Sequence, residues 1–123
     1  MLKKLSQRTI PASINDIPLL LEVSDTSDTR QKGLMGIESM PLNKGMIFRF
    51  DELDHHGMWM KNTRVHLACL FLNRNNEIVD IQHMEPLSTD IHRPSVPVQM
   101  VIEVNSSLVD DHGIKVGDKV KFT

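Results

Sequence analysis

Apolar residues along this chain recur mostly in short runs with the two-residue period of β-strands. IPLLLEV (17–23) has the length and branched content of a strand, and QRTIPASIND before it reads as another that ends in a turn at Asn15-Asp16. SDTSDTRQKGLM breaks that period. Asp25 or Thr26 can cap a helix there, with Asp28 early and Arg30 and Lys32 late to suit the helix dipole. Gly33 and Gly36 limit it to about two turns.

GMIFRF (45–50) reads as a strand after the Asn43-Lys44-Gly45 turn, DELDHHG as a polar loop, and MWMKN as the opening of a further strand. VHLACLFLN is apolar at both parities. Val65, Leu67, Cys69 and Phe71 share one face and Ala68, Leu70 and Leu72 the other, which predicts a central strand covered on both sides. RNNE turns the chain into EIVDIQHME, and PVQMVIEV is another strand. NSSLVDDHG predicts a short helix capped by Asn105 or Ser106 and ended by Gly113, and KVGDKVKF predicts strand–turn–strand about Gly117-Asp118. About seven short strands with two short helices predict a compact, mainly antiparallel β-barrel or sandwich, in one domain spanning 1–123.

Composition adds exclusions more than identities. The chain has 123 residues, 40% hydrophobic and 24% charged, ordinary values for a soluble globular protein. A net charge of -2 supplies no basic field for a phosphate backbone, so no nucleic-acid partner is expected. The start, MLKKLSQRTIPASIND, has polar residues where a signal peptide's apolar region belongs, and no window approaches the roughly 18 apolar residues of a membrane span. A cytoplasmic protein without a membrane partner is the expectation. Cys69 is the only cysteine, which excludes an internal disulfide and reads as an inert buried thiol. The eight methionines read as flexible core filler.

Candidate chemistry concentrates in HHGMWMKNTRVHLACLFLN (55–73). In an extended chain Met58, Met60 and Asn62 lie on one side, and Trp59, Lys61 and Thr63 on the other. Trp59 then forms either a stacking wall, with Lys61 and Thr63 as polar contacts for a ligand, or a core side chain with Lys61 snorkelling at its rim. Core packing is preferred for Trp59 alone, while Lys61-Asn62-Thr63 points to a pocket edge. Glu103, among the strand valines of VIEV, is costly unless paired. A structural ion pair with Arg30 or Lys61 is preferred there over a general base with a raised pKa. The six histidines show no metal-ligand spacing: His55 and His56 point opposite ways, and His83 reads as a satisfied core-edge histidine. No Gly-rich phosphate loop, zinc signature or nucleophile elbow is present, so no cofactor, metal or catalytic set is expected.

TSDTRQKGLMG (26–36), NKGMIFRF (43–50), WMKNT (59–63), LFLN (70–73), EIVDI (77–81), VIEVN (101–105) and HGIKVGDKV (112–120) occur in the order and spacing of one family. From about Leu19 to the C-terminus the chain resembles the domain of unknown function 192 family. The resemblance implies a single β-rich domain and implies no activity. Many members carry export signals that this chain lacks. Relatives usually have Phe where Met58 stands, Pro-Leu-Asp where this chain has His66-Leu67-Ala68, Tyr near Val96 and Gly near Ser106. Were that aspartate catalytic in the family, Ala68 would leave this member inactive or altered.

The reading adopted is a non-catalytic domain that binds a small polar ligand or a peptide in a cleft edged by Trp59, Lys61, Asn62 and Thr63, with Arg30 and Glu103 as supporting charges. The alternatives are an assembly module using an exposed Met58/Met60 face, and a small acid–base enzyme using Glu103.

Overall fold

Residues 8–123 are described by a computed structural model; Met1–Gln7, the part of the chain read for an export signal and the first residue of the first predicted strand, lie outside the described residues. The first hairpin follows directly from its turn. Asn15 and Asp16 both take positive φ (51° and 66°), the conformation a two-residue hairpin needs to match strand twist. It joins β1 (Thr9–Ile14) to β2 (Ile17–Ser24). After β2, α1 (Ser27–Lys32) starts at Thr26, whose hydroxyl accepts from the Thr29 N–H while Thr29 Oγ1 accepts from the Thr26 N–H. Gly33 ends it with φ 50°. The chain then crosses over to β3 (Lys44–Asp54), which therefore lies parallel to β2.

β4 (Leu67–Leu72), β5 (Ile78–Met84), β6 (Val98–Asn105), α2 (Ser106–His112) and β7 (Val120–Phe122) complete the fold. Asn105 caps α2 and Gly113 closes it in the left-handed conformation, as the sequence predicts. The strands form one sheet in the order β5-β4-β6-β3-β2-β1-β7. It curls into a half-barrel, so the expected closed barrel or sandwich is corrected. At one edge β7 is only three residues long and forms no ladder with β5 at the other, and the β2–β3 pair is parallel where the sequence predicts an antiparallel sheet. The two edges approach at the isolated Glu77–Lys119 bridge, where the Ile78 N–H donates to the Asp118 carbonyl at 2.8 Å. Of the two strands predicted about Gly117-Asp118, only β7 forms. Lys115-Val116 instead belongs to a turn held by the Asp118 carboxyl, which accepts from the Lys115 N–H and from Asn15 Nδ2, and these bonds hold its pKa below the usual carboxylate range.

Each face of the sheet has its own apolar layer. Ile14, Leu21, Ile47, Leu70 and Ile102 pack on the concave side with Leu108 and Val109 of α2. On the other side Met46, Phe48, Leu67, Cys69, Phe71 and Val101 lie under loop residues Leu34, Met40, Met58 and Met60. β4 is consequently buried at all six positions, as its two-parity apolar pattern requires. Met40, Met46, Met58, Met60 and Met84 all sit in the second layer, where flexible thioethers can fill the irregular space under loops. No helix among the described residues is long and apolar enough to cross a membrane.

Gly45 marks the closest backbone approach. It pairs with Val104 across β6, and a Cβ there would stand 2.5 Å from the Glu103 carbonyl oxygen. Gly45→Ala is expected to destabilise the protein by about 1–3 kcal/mol through overpacking against backbone. Urea denaturation would show a lower midpoint at unchanged slope.

Candidate functional site

The 57–63 segment is not the strand its sequence suggests. Only Met58 pairs, in an isolated bridge with His92, and the chain then turns at Lys61-Asn62, with Asn62 at φ 55°. Alternation survives as far as the turn: Met58 and Met60 point into the second layer, while Trp59 stays 37% exposed. Core packing of Trp59 is therefore corrected, and so is the exposed Met58/Met60 face proposed for assembly. Beyond the turn Thr63 leaves the exposed face. It is buried, donating from Oγ1 to the Lys61 carbonyl and from its N–H to the Met60 carbonyl.

Trp59, Lys61 and Thr63 line a cleft of about 230 Å³ together with Arg30, Lys32, Leu34, Phe48, Phe50, Met58 and Glu103. Five of the six residues singled out from sequence thus meet at one place. Asn62 does not; its conformation makes the turn, and its carbonyl accepts from the Gly36 N–H at 2.9 Å, tying the turn to the loop after α1. Its expected ligand contact is replaced by a backbone role. The walls missed by sequence reasoning are Phe48 and Phe50, which share a parity in GMIFRF, and the residues around Gly33-Leu34.

The cations are held at the rim. Arg30 Nη1 donates to the Arg49 carbonyl at 2.8 Å, its guanidinium lies 5.4 Å from the Phe50 ring centre, and Asp51 stands 3.8 Å away. The Lys61 ammonium sits 5.3 Å above the Trp59 ring. On its other side Phe50 stacks with His56 at 3.8 Å, while His56 Nε2 donates to the Glu52 carbonyl.

Glu103 differs from every other acid described. On β6, opposite Met46 of β3 and Cys69 of β4, its side chain faces the second layer and is 3% exposed where it meets the cleft. The predicted ion pair is absent. Among the described residues no hydrogen bond or salt bridge engages its carboxyl: Arg30 Nη1 reaches the Arg49 carbonyl and Lys61 lies over Trp59 instead. Burial alone acts on its titration and pushes the pKa up to about 8. Burial thus favours the protonated carboxyl well above the usual carboxylate range. Desolvation likewise raises the Cys69 thiol far above its usual value, with the Glu103 charge adding to it, so this cysteine is no nucleophile.

His55, His83 and His92 do not line the cleft. His55 Nδ1 donates to the Pro94 carbonyl, and His92 contacts the Gln82 side chain. His83, expected at a core edge, is exposed, with Ser106 Oγ at 3.0 Å and Asp110 at 3.5 Å. No group of three potential metal ligands occurs among the described residues.

Comparison with known proteins places this arrangement in a wider setting. A proposed transcription regulator from Sinorhizobium meliloti 1021, seen in a crystal structure, is 28% identical, with a TM-score of 0.91 over 98% of each chain. A protein of unknown function from Novosphingobium aromaticivorans DSM 12444 is 27% identical, with a TM-score of 0.87 over 98% of this chain and 91% of that one. No curated protein matches. The model of the DUF192 family, described as Uncharacterized ACR, matches residues 10–122, almost the whole length over which the fold and the cleft are built. The chain belongs to the DUF192 family.

Proposed function

We propose that this protein binds a small polar ligand, without catalysis, in the cleft beside Trp59. The observation that carries this reading is the Glu103 carboxyl, buried and unpartnered among the described residues, at a cavity wall whose rim holds Arg30, Lys32 and Lys61. A buried polar group without a partner costs free energy, and a ligand that supplies the partner recovers that cost on binding. Phe48, Phe50 and Trp59 give the apolar walls that small-molecule sites usually have. The transcription-regulator description of one neighbour would call for a basic, groove-fitting surface. A net charge of -2 argues against that here.

Trp59 is the only tryptophan in a chain without tyrosine, so its emission reports on the cleft directly. Titration with a panel of amino acids, sugars, nucleotides and carboxylates should give a saturable shift for at least one class, weakened at least tenfold in Lys61→Met. An emission unmoved by the whole panel would end the binding reading. A second reading, a small acid–base enzyme, draws on the same raised carboxyl, since shifted acids cluster at catalytic sites. It requires a bound panel member to be chemically altered by the wild type and left intact by Glu103→Gln.

A further inference from the structure

We infer that the ligand of this cleft is a zwitterionic free amino acid with an apolar side chain, its ammonium seated on Glu103 and its carboxylate facing Arg30 and Lys61. The inference rests on the binding reading above and adds the ligand's chemistry and orientation. Charge geometry carries it. The most buried polar group of the lining is an acid with no partner among the described residues, and the more exposed lining holds three cations, Arg30, Lys32 and Lys61. A simple amine would have to pass that cationic rim and then lie beside it. A simple anion would meet the cations but would supply no counterion to Glu103 once that acid ionises. A ligand with both charges answers the cations and the ionised acid together.

Size and walls narrow the class. About 230 Å³ lies below the roughly 300–1,000 Å³ of sites for drug-sized molecules, which suits a single residue better than a peptide. Leu34, Phe48 and Met58 add apolar wall to the cleft. The face of Trp59 lying under Lys61 is already occupied by that ammonium, which disfavours a sugar ring stacked there.

Proton linkage follows from the surroundings of Glu103. The charged and titratable groups around it are the Cys69 thiol directly across β4 and the cations Arg30, Lys32 and Lys61 lining the cleft; its neighbour on β3 is the non-titrating Met46. None of them pairs with it. With its pKa pushed up to about 8, Glu103 must give up a proton to receive an ammonium at neutral pH. Binding should therefore release a proton at pH 6–7, and affinity should rise about tenfold per pH unit until it levels near pH 8.

The probes are leucine, leucinamide (no carboxylate) and N-acetylleucine (no ammonium), titrated into the full-length wild type by calorimetry in two buffers of different ionisation heat. Trp59 emission is followed in parallel. The expected result is leucine binding at least tenfold tighter than either analogue, with proton release. Glu103→Gln should lose the preference over N-acetylleucine, and Lys61→Met should weaken the preference over leucinamide. Equal or tighter binding of N-acetylleucine, or proton uptake instead of release, would overturn the orientation and the ligand class. Silence toward leucine while a sugar, nucleotide or carboxylate binds would overturn this inference alone and leave the cleft a binding site. Silence toward the whole panel would end both. The wild-type comparison of the three probes decides the matter even if a variant folds poorly.

Discussion

Glu103→Gln should stabilise this protein at pH 8–9 by several kcal/mol while changing little at pH 4.5. In the unfolded chain the carboxyl ionises near its ordinary value of 4.5; in the folded protein it holds its proton up to about 8. Between these values the native state binds one proton more than the unfolded state, so stability falls as pH rises, by about 1.4 kcal/mol per pH unit. Over the full window the loss is on the order of 5 kcal/mol, comparable to the entire stability of many small domains. The amide keeps the shape and removes the titration. Urea denaturation at pH 5, 7 and 9 is the check. Wild-type stability should decline across that series while the variant stays level, apart from contributions common to both. Parallel pH profiles would show that the carboxyl has a partner or is hydrated in solution. A ligand that brings an ammonium would also remove part of this decline, which ties stability to occupancy.

Phe71→Ala should cost about 3–5 kcal/mol, the usual loss for truncating a fully buried phenylalanine. Phe71 is completely buried on β4, opposite Val101 of β6 and Asp80 of β5, in the same layer as Met46 and Cys69. β4 is itself paired on both sides, with β5 and β6, which limits how far the sheet can collapse into the space the ring leaves. A loss of less than about 1 kcal/mol in urea denaturation would mean that the methionines of this layer flow into the cavity and that the layer is loosely packed.

The elements that sequence made legible are those governed by local rules. Thr26, Asn105 and Gly113 mark helix ends through backbone bonds made within a few residues, and Asn15-Asp16 makes its turn through the left-handed tolerance of its own two residues. β4 announces its burial because both its faces must be apolar. Most of the misreadings involve partners distant in sequence. MWMKN has strand chemistry, yet its pairing partner is one residue of a loop and Asn62 turns the chain away. The closing of the sheet depends on β7 reaching β5, which no local pattern reveals. Arg30 and Glu103 both line one cleft, but the expected ion pair does not form: the guanidinium meets the Arg49 carbonyl and the Phe50 ring instead. Phe48 and Phe50 could have been found as cleft walls from their shared parity in GMIFRF.

The place of β6 in the sheet has a consequence for how the molecule comes into being. It lies between β3 and β4, although both precede it in the chain and a hairpin already joins β4 to β5. Two large closures must be made before either of its ladders rewards them, which sets a slow, topology-limited assembly typical of non-local β proteins. Glu103 rides on this wedge. Without that strand the carboxyl would be hydrated and ordinary, so the site exists only once β6 is paired on both sides.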